Sequence, residues 1–256
     1  MSEPLGAEFF ARSVHDVARD LVGCTLLYEG RGGVIVETES YDRSDPACHA
    51  FGGRTKRNAP LFGPPGRAYV YLSYGIHSLL NAVAEPDGEA AAVLIRALEP
   101  TAGVEEIRAR RPGRAEPDLC SGPGKLTEAL GVGLEDDRAD LARPPFAVLP
   151  REGGWRGVEV VTGPRIGISK GIELPWRFCA AGNPHVSRPR PRAGQPGEAP
   201  PVPPLTPPPG AGGGAGVAGV GGGADRAGGL SGAGGGGAEG AAGGGPPPSP
   251  SSDLLS

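Results

Sequence analysis

The sequence predicts an α+β fold: a single domain with a curved, mainly antiparallel β-sheet and surrounding helices, followed by a disordered C-terminal tail. Segments with strand and helix character follow one another without regular alternation, which argues against a doubly wound parallel sheet. Two neighbouring strand-like runs are joined by a short Gly-containing turn, as in a β-hairpin. The C-terminal part of the chain is dominated by Gly and Pro.

Composition divides the 256 residues into two parts. More than half of residues 189–256 are Gly or Pro, and this part contains no Phe, Trp, Tyr, Cys or Lys. Such a segment cannot bury enough apolar surface to offset the loss of chain entropy. We therefore predict one folded domain over residues 1–188 and a disordered tail over residues 189–256.

The N-terminal half of the domain is predicted to open with a helix and to continue as strands. Ser13–Asp16 resembles a capping box, and apolar residues at helical spacing follow until Gly23. Glu37, Glu39 and Tyr41 share one face of the second strand together with Ile35, because side chains alternate along a strand. The predicted strands are Cys24–Tyr28, Val34–Tyr41, Ala68–Ser73, Ile76–Val83 and Ala91–Leu98.

The second half is predicted to be mixed. A helix is expected from Pro100 to about Arg110, and a short one over Leu126–Leu130. Further strands are predicted at Val158–Val161, Arg165–Ile168 and Arg177–Ala180.

Charge and cysteine content exclude several classes of protein. The net charge of −4 argues against coating nucleic acid through bulk charge, although two basic clusters allow a local basic face (Arg54, Lys56 and Arg57; Arg108, Arg110 and Arg111). The four cysteines lack CxxC spacing, which favours reduced thiols over disulfides or a metal site. There is no signal pattern and no long apolar run. We expect a cytoplasmic monomer, nucleoid-associated in a bacterium, without metal or cofactor.

Glu39 and Tyr41 are the first candidates for chemistry. A carboxylate in an apolar strand is costly to bury unless it is paired or its pKa is raised, and such carboxylates often activate water as general bases. The alternative is a glutamate at the rim of the sheet, paired with a basic residue.

Three tyrosines form the second candidate group. Tyr69, Tyr71 and Tyr74 fall within six residues, and Asn81 follows them. Core packing accounts for Tyr69 and Tyr71 on a strand. The functional alternative is stacking on a nucleobase, with Tyr74, at a turn, inserted into DNA as a wedge.

Two weaker candidates remain. His49 follows Cys48, but a lone histidine is usually a structural hydrogen-bonding group, and adjacent residues rarely chelate one ion. Ser121–Lys125 leads into a helix and suits a phosphate, with Lys125 supplying the charge. It lacks the Walker frame, so a simple helix-entry turn is an equal alternative.

Taken in order, these motifs resemble the alkyladenine (3-methyladenine, methylpurine) DNA glycosylase family. The resemblance covers roughly residues 5–188, and no single motif is as specific as the series. The matching segments are Val36–Tyr41, Asp45–Ala50, Thr55–Asn58, Gly66–Gly75, Asn81, Leu94–Pro100, Cys120–Leu126, Arg177–Pro184 and Val186–Ser187.

The resemblance implies a catalytic group. Glu39 matches the general base that activates the water attacking the sugar C1′. Arg96 matches an arginine that helps to hold this water, and the backbone carbonyl at Ala180 matches a second group that does so. Because no lysine replaces Glu39, hydrolysis to an abasic site is expected, without a Schiff base or strand cleavage.

The resemblance also implies a base pocket. Tyr41, His49 and Tyr71 match the residues between which a flipped base stacks, and the His49 backbone amide is expected to bond to the base. Asn81 matches the residue that crowds the guanine 2-amino group, and Tyr74 matches the wedge in the duplex. The expected partner is double-stranded DNA containing damaged purines.

Two other functions fit the sequence less well. A non-catalytic lesion-binding protein on the same scaffold would not need Glu39, and an RNA-binding or formyltransferase-type accessory domain leaves Tyr74 and Asn81 unexplained. The sequence does not select a preferred lesion among 3-methyladenine, 7-methylguanine, hypoxanthine and ethenoadenine. The C-terminal tail has no counterpart in the family pattern.

Overall fold

The computed structural model describes residues 2–191. The predicted tail therefore falls almost wholly outside the described residues, and the domain limit at residue 188 stays a prediction. Within the described part, Pro189 is still attached to the domain, because its carbonyl accepts a hydrogen bond from Arg177 Nη1 at 2.9 Å.

The core of the fold is one eight-stranded sheet, whose neighbouring strands all pair antiparallel. The strands are β1 (Thr25–Tyr28), β2 (Arg31–Asp42), β3 (Ala68–Ser73), β4 (His77–Val83), β5 (Ala91–Ala102), β6 (Phe146–Leu149), β7 (Val160–Gly163) and β8 (Arg177–Ala180). Their order is β3-β4-β5-β2-β1-β6, and β8 pairs with both β2 and β7. The predicted α+β class with an antiparallel sheet is confirmed.

Short helices pack on this sheet. They are α1 (Ala7–Phe10), α2 (Val14–Leu21), α3 (Val104–Arg110) and α4 (Pro123–Leu130). The apolar face of α2 is buried in the main core, as its spacing predicted. The predicted capping box is wrong: the Ser13 side chain makes no cap hydrogen bond, and the Val14 N–H donates to Glu85 Oε1 instead.

The two longest strands, β2 and β5, are paired along most of their length, with irregular register at three points. One shift lies between Ile35 and Glu37, so Val36 has no direct partner, and another leaves Arg96 without one. An extra residue of this kind bends a strand and redirects side chains. The simple alternation predicted from Ile35 onward is therefore interrupted at Val36 and resumes at Glu37.

One predicted helix starts at the wrong residue, and one predicted strand is a loop. The helix expected from Pro100 begins only at Val104, because β5 continues to Ala102 and turns at Gly103, whose φ is +57°. Pro100 remains in the strand opposite Gly33, where a side chain on the glycine would collide with the backbone.

The strand expected at Arg165–Ile168 is a loop, and the preceding β7 ends at Gly163. Pro164, which comes next, has no N–H for a β-ladder. The Arg165 side chain instead donates a hydrogen bond to Asp45, in the loop after β2, and the Ile166 N–H donates to Glu39 on β2.

All four cysteines are free and buried. Burial raises the pKa of each thiol, to about 11 for Cys24 and Cys48 and to about 12 for Cys120 and Cys179. These thiols are therefore protonated at neutral pH and are poor nucleophiles. Within residues 2–191, no helix has the length and apolar character needed to cross a membrane.

Candidate active site

A cavity of about 650 Å³ opens beside the paired strands β2 and β5. Its walls come from both strands, the β3–β4 hairpin, the start of α4, and two loops that cover residues 43–58 and 164–175. The aromatic and polar side chains in the lining include Tyr41, His49, Arg57, Tyr71, Tyr74, His77, Asn81 and Arg96. Separate segments of the sequence thus meet at one place.

Glu39 lies behind the lining side chains of Tyr41 and Arg96 and is fully buried. The Tyr41 hydroxyl donates to its Oε2 at 2.7 Å, and Arg96 Nη1 lies 3.1 Å from the same oxygen. The Ile166 N–H donates to Oε1 at 2.8 Å. Every one of these groups is a donor, so the arrangement suits a carboxylate rather than a carboxylic acid.

The Arg96 side chain is oriented towards Glu39 by a second carboxylate, that of Glu37. Arg96 Nε donates to Glu37 Oε1 at 2.7 Å. Glu37 is also fully buried and accepts bonds from Arg177 Nε at 2.7 Å and from the N–H and hydroxyl of Ser187 at 2.7 and 2.8 Å. Both carboxylate oxygens therefore accept hydrogen bonds, and two arginines balance the buried charge.

The two buried glutamates differ in acidity. Burial is the largest single influence on the pKa of Glu37 and raises it. The charges of Arg96 and Arg177, together with the hydrogen bond from the Ser187 N–H, outweigh burial and hold this pKa below its ordinary value. Burial raises the pKa of Glu39 above its ordinary value, and Arg96 only partly opposes this. Glu37 is thus an anion at neutral pH, whereas Glu39 is the group suited to exchanging a proton.

An aromatic cluster forms another wall. The His49 and Tyr71 rings meet nearly edge-on with centroids 4.5 Å apart, and Tyr69 packs against Tyr71 at 5.4 Å. His49 Nδ1 lies 2.9 Å from the Tyr69 hydroxyl. Burial, and secondarily the charge of Arg57, lower the pKa of His49, which favours the neutral ring. Tyr41 packs instead against Arg165, with the guanidinium carbon 4.6 Å from the ring centroid.

Asn81 is buried in the cavity lining. Its amide nitrogen donates to the Tyr69 carbonyl at 3.0 Å, a bond across the β3–β4 pair. The side chain is therefore held in one orientation.

Tyr74 stands at the tip of the β3–β4 hairpin. Its side chain is 87% exposed, and its φ of +51° is unusual for a residue other than glycine. Ile76, two residues on, is 73% exposed. The hairpin tip thus presents apolar groups to solvent at the rim of the cavity.

Two predicted site residues lie apart from this group. Lys125 is exposed on the first turn of α4, and its Nζ lies 3.5 Å from Ser121 Oγ, while Pro123 and Gly124 line the cavity. Ala180 is buried on β8 and does not line the cavity. Its carbonyl accepts from the Asn183 N–H, and Arg177, three residues earlier, is the residue opposite Glu39.

The basic clusters also separate. Arg57 lines the cavity, and Arg54 and Lys56 are exposed in the same loop. Arg108 and Arg111 pair with acidic neighbours, Glu116 and Glu128, so these charges are partly neutralised.

Sequence reasoning missed most of the residues that support the site: Glu37, Asp45, Arg165, Ile166 and Ser187. The Glu-Thr-Glu alternation was a visible signal for Glu37, since it places two carboxylates on one face. The loop residues gave no comparable signal.

The sequence matches that of known proteins over the same region that forms this site. The family described as methylpurine-DNA glycosylase (MPG) matches residues 8–184. A protein of Rhodopseudomonas palustris strain HaA2, named as a 3-methyladenine DNA glycosylase, is 56% identical over 189 residues, which are 74% of this chain and 92% of that protein. Like-named proteins of Bradyrhizobium diazoefficiens and Nitrosospira multiformis are 52% and 54% identical, over 75% and 74% of this chain and 94% and 95% of their own lengths. The chain therefore belongs to the methylpurine-DNA glycosylase family.

Proposed function

We propose that this protein is a monofunctional DNA glycosylase that flips alkylated or deaminated purines of the 3-methyladenine type out of duplex DNA and hydrolyses their N-glycosidic bonds. One observation carries the proposal: a buried carboxylate with raised pKa, Glu39, is held by Arg96, Tyr41 and Ile166 directly behind an aromatic cavity. Family membership and the names of the relatives support the substrate class.

Glu39 is proposed as the general base. Its carboxylate accepts a proton from a water molecule, and the oxygen of that water bonds to the sugar C1′ while the C1′–N bond to the purine breaks. The bonding electrons leave with the base, and an abasic site remains. Arg96 keeps Glu39 oriented and, at the cavity lining, helps to hold the water. The predicted role of the Ala180 carbonyl in holding that water stays a prediction.

The purine is proposed to stack between Tyr41 and the His49–Tyr71 pair, with the backbone N–H of His49 donating a hydrogen bond to the base. Alkylation at N3 or N7 makes the base cationic, so it is attracted to electron-rich rings and leaves the sugar easily. Asn81, whose orientation is fixed, is proposed to crowd the guanine 2-amino group and so to favour adenine lesions.

The duplex is proposed to lie across the rim of the cavity. Tyr74 would fill the gap left by the flipped nucleotide and offset part of the unstacking cost, which is a few kcal/mol. Exposed cations available for phosphates near the rim include Arg57 and Lys170, which line the cavity, and also Arg54, Lys56 and Lys125. Action as a monomer in the cytoplasm remains a prediction.

Release of base from methylated DNA tests the proposal. Purified protein is incubated with methylated genomic DNA, and with duplexes carrying one hypoxanthine or one ethenoadenine. Free bases are measured by chromatography and abasic sites by cleavage in hot alkali. We expect release of 3-methyladenine and strand breaks only after alkali. Breaks without alkali would contradict the mechanism, because they require lyase chemistry.

Two variants complete the test. Glu39→Gln should retain the fold and lose base release, whereas Glu105→Gln, a matched change at an exposed carboxylate on α3, should behave as wild type. Tight binding of lesion DNA by the wild type without any base release would instead support a non-catalytic lesion-binding protein.

A further inference from the structure

Behind the proposed base-binding wall lies an ion pair that is fully buried on both sides, Arg165 with Asp45. The contact is two-pronged: Arg165 Nη2 donates to Asp45 Oδ1 at 2.9 Å, and Nη1 donates to Oδ2. Nη1 also donates to the Ser40 carbonyl at 3.1 Å, and Nη2 to the Gly171 carbonyl at 3.3 Å. An arginine fork of this kind fixes both position and orientation.

The guanidinium of Arg165 contacts two aromatic rings. Its central carbon is 4.6 Å from the Tyr41 centroid and 5.1 Å from that of Trp176. Tyr41 lines the cavity, whereas Arg165 does not. Tyr41 therefore stands between the cavity and a buried cation whose charge Asp45 balances.

The same pair joins two walls of the cavity. The Asp45 carboxylate accepts the Ala47 N–H at 2.9 Å, and the Asp45 carbonyl accepts the Cys48 N–H at 2.9 Å, which shapes the turn before His49. On the other side, Ile166, which follows Arg165, bonds to Glu39. One ion pair thus links the turn that precedes His49 to the loop that bonds to Glu39.

We propose that the Arg165–Asp45 pair positions Tyr41 and determines the cavity's tolerance for a cationic purine, by keeping the charge behind Tyr41 neutralised. A cation on one face of an aromatic ring is attracted by the ring's electrons, and an unbalanced one would repel a second cation nearby. This inference rests on the proposed function, because it requires an alkylated purine to occupy the cavity.

Two variants separate charge from positioning. Asp45→Asn keeps the shape of the side chain but leaves Arg165 unbalanced. Asp45→Asn with Arg165→Met removes both charges and leaves no buried ion without a partner, so this double variant tests the proposal even if the single variant does not fold. As a matched control, Arg12→Met with Asp20→Asn removes a half-exposed ion pair elsewhere.

Two readouts are needed. One is the single-turnover rate of 3-methyladenine release from methylated DNA, in which the lesion is cationic. The other is the Kd for a duplex containing a tetrahydrofuran abasic-site analogue, which places no base in the cavity. General damage to the fold would lower both the rate of release and the affinity for the analogue. A change confined to the base-binding wall would lower only the rate of release.

We expect Asp45→Asn to slow release by about 100-fold and the charge-free double variant by only about tenfold, with Kd within about threefold of wild type in both. The control should match wild type. A double variant as fast as wild type would overturn the positioning role. The charge role would be overturned if Asp45→Asn released base within threefold of the wild-type rate. It would also be overturned if the double variant released base no faster than Asp45→Asn. Failure of the wild-type protein itself to release base would instead refute the proposed function.

Discussion

Arg96 Nη1 lies 3.1 Å from Glu39 Oε2, and the arginine makes this contact from a position in β5 that has no direct partner on β2. Through Nε, the same side chain bonds to Glu37. One guanidinium thus holds two buried carboxylates of unequal acidity on a single strand face. The consequences of this geometry can be measured.

Replacing Arg96 by lysine should impair catalysis. A lysine keeps the charge but lacks the planar fork that contacts both carboxylates. We expect base release to slow by about 100-fold, the lower end of the loss seen when one preorganised electrostatic donor is removed from an active site. Single-turnover kinetics would measure the effect. Arg108→Lys, a matched change at a surface arginine, should leave the rate unchanged.

The rate of base release should fall at acidic pH because Glu39, as the proposed general base, must be ionised to accept a proton. Burial raises the pKa of Glu39, so the midpoint of this acidic limb should lie above 4.5, the ordinary glutamate value. Arg96→Lys should move the midpoint further up, because the carboxylate then loses part of its stabilisation. A pH profile of single-turnover release measures both midpoints, and a midpoint below 4.5 would contradict Glu39 as the titrating base.

Glu37→Gln should destabilise the fold. Removing this charge leaves buried Arg96 and Arg177 without their shared partner, and breaking a buried pair costs about 3–5 kcal/mol. The pKa of Glu37 is lowered on folding, so its contribution is present above pH 4.5 and disappears as the pH falls through the lowered folded value. Urea unfolding should therefore show a gap between wild type and variant that is largest near neutral pH. A gap that widens on acidification would refute this assignment.

Tyr74→Gly should weaken lesion binding without destabilising the protein. The side chain is 87% exposed, and glycine adopts the observed φ of +51° without strain. We expect the melting temperature to stay the same or rise, and affinity for a duplex with an abasic-site analogue to fall by about tenfold, since an inserted aromatic contributes about 1–3 kcal/mol. Tyr74→Phe retains the ring and serves as the control.

Some of the site was predictable because local rules determined it. The two-residue period of β2 places Glu39 and Tyr41 on the same face of the strand, where they form a hydrogen bond. The same rule places Tyr69 and Tyr71 on one face of β3, where their rings are in contact. The antiparallel sheet followed from the lack of regular alternation between strands and helices.

The remainder depended on contacts between distant segments. Arg165 lies 120 positions from Asp45, and nothing near Arg165 indicates that its loop covers β2. The residue that bonds to the first turn of α2 is Glu85, far along the chain, although Ser13 satisfied the local capping pattern. The register irregularities at Val36 and Arg96 are likewise products of strand pairing that no single segment encodes.

The pairing of β2 with β1, β5 and β8 has a consequence for partly opened forms of the protein. Amide protons of a strand with neighbours on both sides exchange with solvent only when most of the domain opens, whereas a hairpin tip exchanges readily. Glu39 lies on the protected strand and Tyr74 at the exposed tip. On mild heating, the protein should therefore lose affinity for DNA while Glu39 still holds its position on β2. Cooling should restore binding without refolding of the sheet.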